Sequence, residues 1–339
     1  MFKPSYRITP YLLNLIDEAS ALKTWVELAP LHVAWLPQMQ KEAKSRLAHF
    51  STSIEGNQLN LHQVKAIARG ETIGAEKQEE LEVANYLKAM HWIEQHGKKE
   101  IDETTIFELH RTITGGLLAP EKVAAYKAKQ NFVVDNNKIK VYTPTSPKET
   151  PQAMQGLLAW FNGAEASRLH CLLVCAILHH RFVSIHPFSD GNGRLARALG
   201  TLVLYQKEFD LHHIFSLDEF FAGDRQRYYQ KLQQARDLDG DLTYWIEYVA
   251  EGVVATLKKV KKRIEDLQVS TLHPLTLSPR QEDALRLLRD AHSLHVTELI
   301  DELKVSRARI NQIIGPLVES GLVTKEGRSR ATRYRLNLN

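Results

Sequence analysis

The stretch HPFSDGNGRLAR at residues 186–197 gathers residue types that bind phosphate groups and move protons. His186 titrates near neutral pH and can take a proton from a hydroxyl group. Asp190 offers hard carboxylate oxygens that suit Mg²⁺ beside a polyphosphate. Phe188 is expected to point the other way and anchor the loop in the core. The stretch therefore indicates a general base and a metal ligand next to an anion.

The glycines and arginines of this stretch are suited to holding that anion. Gly191 and Gly193 permit backbone angles at which the N–H groups around Asn192 turn inward and form a nest for phosphate oxygens. A helix is expected to follow, and its N-terminal dipole adds to the attraction. Arg194 and Arg197 are three residues apart, share one helical face and can both reach the anion. The chain lacks the sequence GxxxxGK[ST], so the phosphates are not held by a P-loop.

A second stretch, STSIEGN at residues 51–57, places two polar side chains on one helical face. Ser51 and Glu55 are four residues apart, and Leu47 and Ile54 belong to the apolar side of the same helix. Gly56 is a natural stop for that helix. Taken alone, the stretch is typical of an ordinary helix end with a solvated glutamate.

Helices are expected to position these stretches, because apolar residues recur at helical spacing through most of the chain. Asp102 is the expected N-cap of one helix, and the helix just before the motif is so apolar that it should be central. The expected helices are 78–96, 102–114, 151–162, 168–182 and one that follows the motif through Leu199, Leu202 and Val203.

One segment breaks the helical pattern. Residues 132–142, FVVDNNKIKVY, place two β-prone runs around Asp135-Asn136-Asn137, which predicts a β-hairpin. A surface hairpin without a further role is the simpler interpretation of this segment alone.

The C-terminal part of the chain predicts a separate domain. A basic helix at 252–267 is typical of a solvated face, and residues 270–278 read as a linker. Helices at 279–290, 297–303 and 306–321 and two strands follow, which is the order of a winged helix-turn-helix. Cations at the third helix and the wing suit duplex DNA, although protein-binding winged helices are also common. These cations are Arg307, Arg309, Arg328, Arg330 and Arg333.

Composition limits the classes of protein that need to be considered. The 339 residues allow two or three domains, and the 43% of hydrophobic residues allow a large core. The net charge of +4 is too small to prove a polyanionic partner. Two cysteines, Cys171 and Cys175, are too few for a disulfide scaffold. With no signal-peptide pattern and no apolar run long enough to cross a bilayer, we expect a cytoplasmic protein without a membrane partner.

The stretch 186–197 resembles the signature of Fic proteins, histidine-x-Phe-x-Asp/Glu-Gly-Asn-Gly-Arg-x-x-Arg, at every fixed position. The similarity extends upstream through residues 179–185 and downstream through RYYQKL at 227–232, and covers the chain from about residue 5 to about 265. The resemblance implies a mainly α fold, with a helical-bundle core and a small hairpin flap. It also implies an enzyme that moves AMP from ATP to a Ser, Thr or Tyr hydroxyl of a target protein and releases pyrophosphate. The related kinase branch departs at the two glycines, which this chain keeps.

Site roles follow from the resemblance. His186 would be the general base on the target hydroxyl, and Asp190 would hold Mg²⁺ against the α- and β-phosphates. The three residues Gly191, Asn192 and Gly193 would cradle the phosphates, and Arg194 and Arg197 would grip the β and γ groups. Tyr229 would lie near the adenine, although Tyr228 or Tyr229 as a self-modification site stays open.

The same resemblance changes the meaning of the hairpin and of the stretch 51–57. The hairpin would align a target segment by strand addition, through Val133, Val134, Ile139 and Val141. The text YTPTSP at 142–147 lacks the second proline that commonly follows the first in the family. Ser51, Glu55 and Gly56 match an inhibitory motif in which the glutamate pairs with Arg197 and displaces the γ-phosphate.

The domains expected are an N-terminal helical region at 1–100 with the inhibitory helix at about 38–56, a catalytic core at 101–268, a linker at 269–278 and the winged helix at 279–339. Removal of AMP at the same site, a homodimer and a nucleotide-sensing transcription regulator stay open as alternatives. A metal enzyme using His170, Cys171, Cys175, His179 and His180 is a further alternative, but their helix is so apolar that a buried core helix explains them better.

Overall fold

The computed structural model describes residues 2–29, 35–97, 99–134, 140–207, 209, 213–269, 277–291, 293–319, 321–327 and 332–337. The chain divides into two units, Met1–Leu28 with Met39–Val260, and Ala29–Gln38 with Lys261–Asn339. The first unit contains both stretches that carry the predicted chemistry. Within the described ranges, no helix combines the length and the apolar character that a bilayer crossing requires.

The first unit is built almost entirely from helices, which confirms the predicted mainly α class. Its helices are α1 Pro10–Leu28, α2 Leu36–Ile54, α3 Leu61–Ala68, α4 Lys77–His96, α5 Glu103–Thr114, α6 Thr150–Phe161, α7 Ala164–Ser167, α8 Cys171–Ile185, α9 Asn192–Gln206, α10 Asp218–Gly223, α11 Arg225–Asp237 and α12 Thr243–Val269. Of these, α2 belongs to this unit from Met39 onward and α12 as far as Val260. Two short strands, β1 Val133–Val134 and β2 Lys140–Tyr142, pair antiparallel as the predicted hairpin. Ile139 lies outside the described residues.

The apolar helix α8 lies at the centre of the first unit. It packs against α9 on one side and α6 on another, and nearly all its side chains are buried. Trp245 of α12 donates its indole N–H to the carbonyl of Ala176 in α8 at 2.7 Å, so the central helix is also held by a polar contact. Because α8 and α9 are consecutive and adjacent, the loop between them is fixed at both ends.

Some predicted helix bounds are wrong. The central helix begins at Cys171 rather than at residue 168, because the His170 side chain accepts from the Leu172 N–H as an N-cap. The predicted basic helix at 252–267 is the later part of α12, which begins at Thr243. Asp102, by contrast, caps α5 as predicted, since its carboxylate accepts from the Thr105 N–H at 2.7 Å.

The second unit contains the three predicted helices and two predicted strands. These are α13 Pro279–Ala291, α14 Val296–Leu303, α15 Arg307–Glu319, β4 Val323–Glu326 and β5 Arg333–Leu336. A strand that the sequence did not predict, β3 Ser293–His295, joins them in a three-stranded antiparallel sheet of order β3-β5-β4. Three residues are too few for an alternating pattern, so this strand is defined only by its partner.

The start of α14 and the cations of this unit differ in part from the prediction. The helix predicted at 297–303 begins at Val296, because His295 caps α14 in a capping box with Glu298. Arg307, Arg309 and Arg333 are exposed, as an interaction surface needs. The predicted wing residues Arg328 and Arg330 and the linker residues 270–276 lie outside the described residues.

Candidate active site

His186 ends α8 with its side chain in the basic, uncharged form. The residue has left-handed backbone angles, φ 53° and ψ 59°, and its N–H donates to the Phe182 carbonyl at 2.9 Å. Its Nδ1 lies 3.3 Å from the Val183 carbonyl. Because a carbonyl only accepts, Nδ1 carries the proton, and Nε2 keeps its lone pair for a proton from a substrate. Burial lowers the pKa of His186 to about 4, so the ring is neutral at physiological pH.

The loop after His186 is closed by Phe188 and Asn192. Phe188 is completely buried, as expected. The Asn192 side chain accepts from the Phe188 N–H and donates to the Phe188 carbonyl, both at 2.9 Å. This amide is therefore used inside the loop, and only the main-chain N–H of Asn192 is left for the predicted phosphate cradle.

His110 of α5 packs against the same loop and hydrogen-bonds to it. Its ring stacks on Phe188, with the centroids 3.8 Å apart. Its Nε2 donates to the Asp190 carbonyl at 3.1 Å, while Nδ1 accepts from the Ala124 N–H at 2.9 Å. Burial lowers the pKa of His110 to about 4, so the neutral tautomer that these two bonds require is the stable one.

Lys127 ties the segment before the flap to the loop. Its main-chain N–H donates to the Pro187 carbonyl at 2.9 Å, and its buried Nζ donates to the Ile185 carbonyl at 3.1 Å. Nζ also donates to Asn131, whose own amide donates to the Phe188 carbonyl at 2.9 Å. Burial lowers the pKa of Lys127 to about 8. Sequence reasoning did not find Lys127, Asn131 or His110, because nothing local marks a residue whose partners are far away in the chain.

The N-terminus of α9 leaves main-chain donors open at the predicted cradle. The first N–H groups of a helix, here those of residues 192–194, have no acceptor within the helix. Gly191 precedes them with φ +79°, and a Cβ there would lie 2.7 Å from Thr114 Cγ2. A Cβ at Gly193 would overlap the Glu55 carboxylate. Only Gly191 therefore needs the backbone freedom that the sequence predicted for both glycines, because Gly193 lies within α9 without a positive φ.

Asp190 and Arg194 form an ion pair beside the cradle. Asp190 Oδ1 accepts from the Gly191 N–H at 2.6 Å, and Oδ2 lies 3.3 Å from Arg194 Nη2. The other side of the Arg194 guanidinium pairs with Glu82 of α4 at 3.1 Å. The Asp190 side chain is 61% exposed and the Arg194 side chain 4%. Asp190 is thus accessible, whereas Arg194 is held by two carboxylates.

Arg197 is held by the end of α2. Its Nε donates to Ser51 Oγ and its Nη2 to the Ser51 carbonyl, both at 2.8 Å, and Nη2 also donates to Glu55 Oε1 at 2.7 Å. Burial alone would lower the pKa of Arg197, but Glu55 and Asp218 outweigh it and raise that pKa. Gly56 follows with φ +108°, where a side chain would be strained. The structure thus places Ser51 and Glu55 of the predicted inhibitory motif in contact with Arg197, and Gly56 follows them in the chain.

A cleft of about 850 Å³ connects several of the predicted site residues. His186, Gly193, Arg197 and Glu55 line it together with Tyr229. The Tyr229 hydroxyl donates to the Ile54 carbonyl at 3.4 Å. From the flap, Val133 and Val141 line the cleft, and the paired register is Val133 opposite Tyr142 and Val134 opposite Lys140. Arg194 is not among the described residues that line the cleft.

The cysteines and histidines of α8 have partners other than a metal. Cys175 Sγ lies 3.7 Å from the Gly200 carbonyl, His179 Nε2 lies 2.9 Å from the Tyr228 hydroxyl, and His180 Nε2 lies 3.1 Å from the Leu232 carbonyl. Among the described residues, no group of three or more His, Cys, Asp or Glu side chains is placed to hold a metal ion. These contacts fit the interpretation of α8 as a core helix.

Comparisons with known proteins point to one family. Residues 100–204 match the family model described as Fic/DOC family. Protein adenylyltransferase Fic from Nematostella vectensis is 30% identical over 258 residues, which cover 74% of this chain and 54% of that protein. Protein adenylyltransferase fic-1 from Caenorhabditis elegans is 28% identical, covering 67% and 43%. The chain thus spans about half the length of the curated relatives it matches.

Solved structures agree with the fold. A Fic family protein from Desulfovibrio desulfuricans G20 superposes with a TM-score of 0.73 at 24% identity, covering 100% of this chain and 99% of that one. Fic-1 (aa134–508) from C. elegans superposes with a TM-score of 0.62 at 26% identity, covering 75% and 73%. The helical architecture described above is therefore shared with these proteins.

Proposed function

Residues 100–204 make this chain a member of the Fic/DOC family, and from that membership we propose that it is a protein adenylyltransferase. Its substrates are ATP and a Ser, Thr or Tyr hydroxyl, either on a target protein or on the chain itself. The relatives named protein adenylyltransferase support this reaction class.

The observation that carries the proposal is that a neutral imidazole and a buried arginine line one cleft. His186 Nε2 takes the proton of the target hydroxyl while the hydroxyl oxygen attacks the α-phosphorus of ATP. The bond from that phosphorus to the bridging oxygen breaks, and pyrophosphate leaves. Transfer of this kind depends mainly on positioning and on stabilised charge. The open N–H groups of α9 and the Arg197 guanidinium supply both.

Asp190 is the residue that fits a magnesium ion. Its carboxylate is exposed and borders the cradle, and each oxygen makes one contact, so lone pairs are left for a hard cation. Bound there, Mg²⁺ would neutralise phosphate charge.

Glu55 is proposed to inhibit the transfer. Its carboxylate occupies Arg197 Nη2 at 2.7 Å, where a γ-phosphate would otherwise bind. A triphosphate must displace this carboxylate or bind beside it against charge repulsion, with its α-phosphate poorly aligned. Inhibition within one chain follows, because α2 precedes the cradle in the same unit.

Mass spectrometry tests the proposed function. Glu55→Gly protein incubated with ATP and Mg²⁺ is expected to gain an AMP adduct, on itself or on an added lysate protein. The double variant that also carries His186→Ala is the control and should gain none. Equal adducts in both variants would show that His186 does not carry this chemistry, and no adduct in Glu55→Gly would contradict the proposed transfer.

For the second unit we propose a winged helix that contacts duplex DNA or a protein. Arg307 and Arg309 are exposed at the start of α15, where a recognition helix meets its partner. A mobility shift with random duplex DNA, measured for the wild type and for Arg309→Ala, separates the two kinds of partner. The predictions of a homodimer and of a cytoplasmic location stay predictions.

A further inference from the structure

Arg197 depends on α2 for its hydrogen bonds. Among the described residues, its side chain makes three hydrogen bonds of normal geometry, two to Ser51 and one to Glu55. If α2 withdraws to let a triphosphate bind, all three are lost together. A long arginine side chain without partners loses its fixed direction, because rotamer entropy favours disorder.

Three described residues of the core, Asp218, Tyr228 and Tyr86, remain beside Arg197, and Asp218 is the carboxylate among them. Asp218 is the first residue of α10, and its Oδ1 lies 3.6 Å from Arg197 Nε. Asp218 is 2% exposed, and the described chain offers no hydrogen-bond partner to its Oδ2. Asp218 belongs to α10 rather than to α2 or the phosphate loop, so withdrawal of Ser51 and Glu55 does not remove it from Arg197. Its neighbour Glu219 pairs with Arg46 of α2 at 3.1 Å and with Lys259 of α12 at 3.0 Å.

The buried surroundings of Asp218 disfavour the charged form of its carboxyl group. Burial raises the pKa of Asp218 to about 7, although Arg197 lowers it. The carboxylate lines a small cavity of about 20 Å³ together with Arg197 and His179. A buried carboxylate is tolerated where it balances a buried cation, and Arg197, with its side chain 1% exposed, is that cation.

The guanidinium also has one nitrogen left for a ligand. Within the described residues, Arg197 Nη1 has no hydrogen-bond partner. It lies 3.3 Å from where a Cβ on Gly193 would stand, at the edge of the cleft. Asp218 and the cleft therefore contact different nitrogens of one planar group, and fixing Nε also orients Nη1.

We propose that Asp218 is a positioning residue, which holds the Arg197 guanidinium toward the cleft once Ser51 and Glu55 withdraw. The γ-phosphate of ATP then meets an oriented donor rather than a mobile side chain. The proposal rests on the proposed function, because it assigns the terminal phosphate to Arg197.

The test is equilibrium binding of ATP and ADP by titration calorimetry to protein that carries Ser51→Ala, Glu55→Gly and His186→Ala, with and without Asp218→Asn. Ser51→Ala removes the hydroxyl that accepts from Arg197 Nε, and His186→Ala prevents turnover. Asp218→Asn keeps the shape and removes the charge, and Asp17→Asn, at an exposed carboxylate on α1, is the matched control. We expect ATP affinity to fall about tenfold and ADP affinity to stay unchanged, because ADP lacks the γ-phosphate. In an Arg197→Gln background, Asp218→Asn should change neither affinity.

An equal loss for both nucleotides, no loss, tighter ATP binding, or a loss that persists in the Arg197→Gln background would overturn the proposal. Should Asp218→Asn not fold, as judged by thermal melting, Asp218→Ser removes the charge with less bulk and must show the same selective loss. Since binding is measured without turnover, the two ideas fail separately. Normal ATP binding without AMP transfer refutes only the proposed function, and unchanged ATP selectivity refutes only the role of Asp218.

Discussion

Replacing Glu55 by glycine should raise AMP transfer by one to two orders of magnitude. The change removes the carboxylate that contacts Arg197 Nη2 at 2.7 Å and leaves the two hydrogen bonds from Ser51 in place. Arg197 therefore stays near its present position, and the main difference is a vacant Nη2 that a γ-phosphate can occupy.

The magnitude follows from the contact that is lost. A hydrogen bond between charged groups contributes about 1.5–3 kcal/mol. The Arg197 side chain is 1% exposed and that of Glu55 30%, so solvent screens this pair only in part. Each 1.36 kcal/mol changes a rate tenfold, so turnover should rise about 10- to 150-fold. Glu55→Gln keeps an acceptor but loses the charge, so a neutral hydrogen bond of about 0.5–1.5 kcal/mol remains. Only the difference between the charged and the neutral bond is released, which predicts a smaller rise in turnover of a few-fold to tenfold.

The assay is incorporation of label from ATP labelled at the α-phosphate, with Mg²⁺, at equal protein concentrations. Glu27→Gly, which makes the same replacement in the last turn of α1, controls for a general loosening of helices. The order of activity should be Glu55→Gly above Glu55→Gln above wild type, with Glu27→Gly equal to wild type. If Glu55→Gly binds ATP but labels no more than wild type, the reasoning about the inhibitory contact is refuted.

Three further predictions concern the loop and the cradle. Because burial lowers the pKa of His186 to about 4, the unfolded chain binds this proton at higher pH than the folded chain. The free energy of unfolding should therefore fall as pH drops from about 6.5 toward 4, and urea titrations should show a shallower fall for His186→Gln; equal slopes would contradict this. Gly191→Ala should lower the free energy of unfolding, measured by thermal melting, by about 1–3 kcal/mol, since φ is +79° and a Cβ would lie 2.7 Å from Thr114. Gly223→Ala is the control and should be tolerated, because a Cβ at Gly223 would meet nothing within 4 Å. Asp190→Asn in the Glu55→Gly background should raise the Mg²⁺ concentration for half-maximal labelling about tenfold or more, and an unchanged concentration would remove Asp190 as the metal ligand.

The sequence was most informative where the chemistry is local. His186, Asp190, Gly191 and Gly193 lie within eight residues of the chain, so their types and spacing alone predicted a base, a hard-metal ligand and an anion nest before a helix. The hairpin was predicted for the same reason, because turn residues and β-prone runs are neighbours in the chain.

Other parts were predicted only in outline. Arg194 was assigned to phosphate binding, yet Glu82 and Asp190 hold it beside the cradle, and the Asn192 amide is used to close the loop. A sequence names the residue type but not the competing partners that tertiary packing supplies.

What the sequence determined by itself is the set of chemical groups that short-range geometry forces together, namely the loop 186–197 and the pair Ser51 and Glu55 on one helical face. What only the tertiary structure decided is which distant groups meet them: Glu55 reaches Arg197 across 142 residues, and Asp218, His110 and Lys127 approach from three other segments. The physical reason is that helix periodicity and backbone freedom act over a few residues, whereas these buried polar contacts exist only because burial of the apolar core brings the helices together.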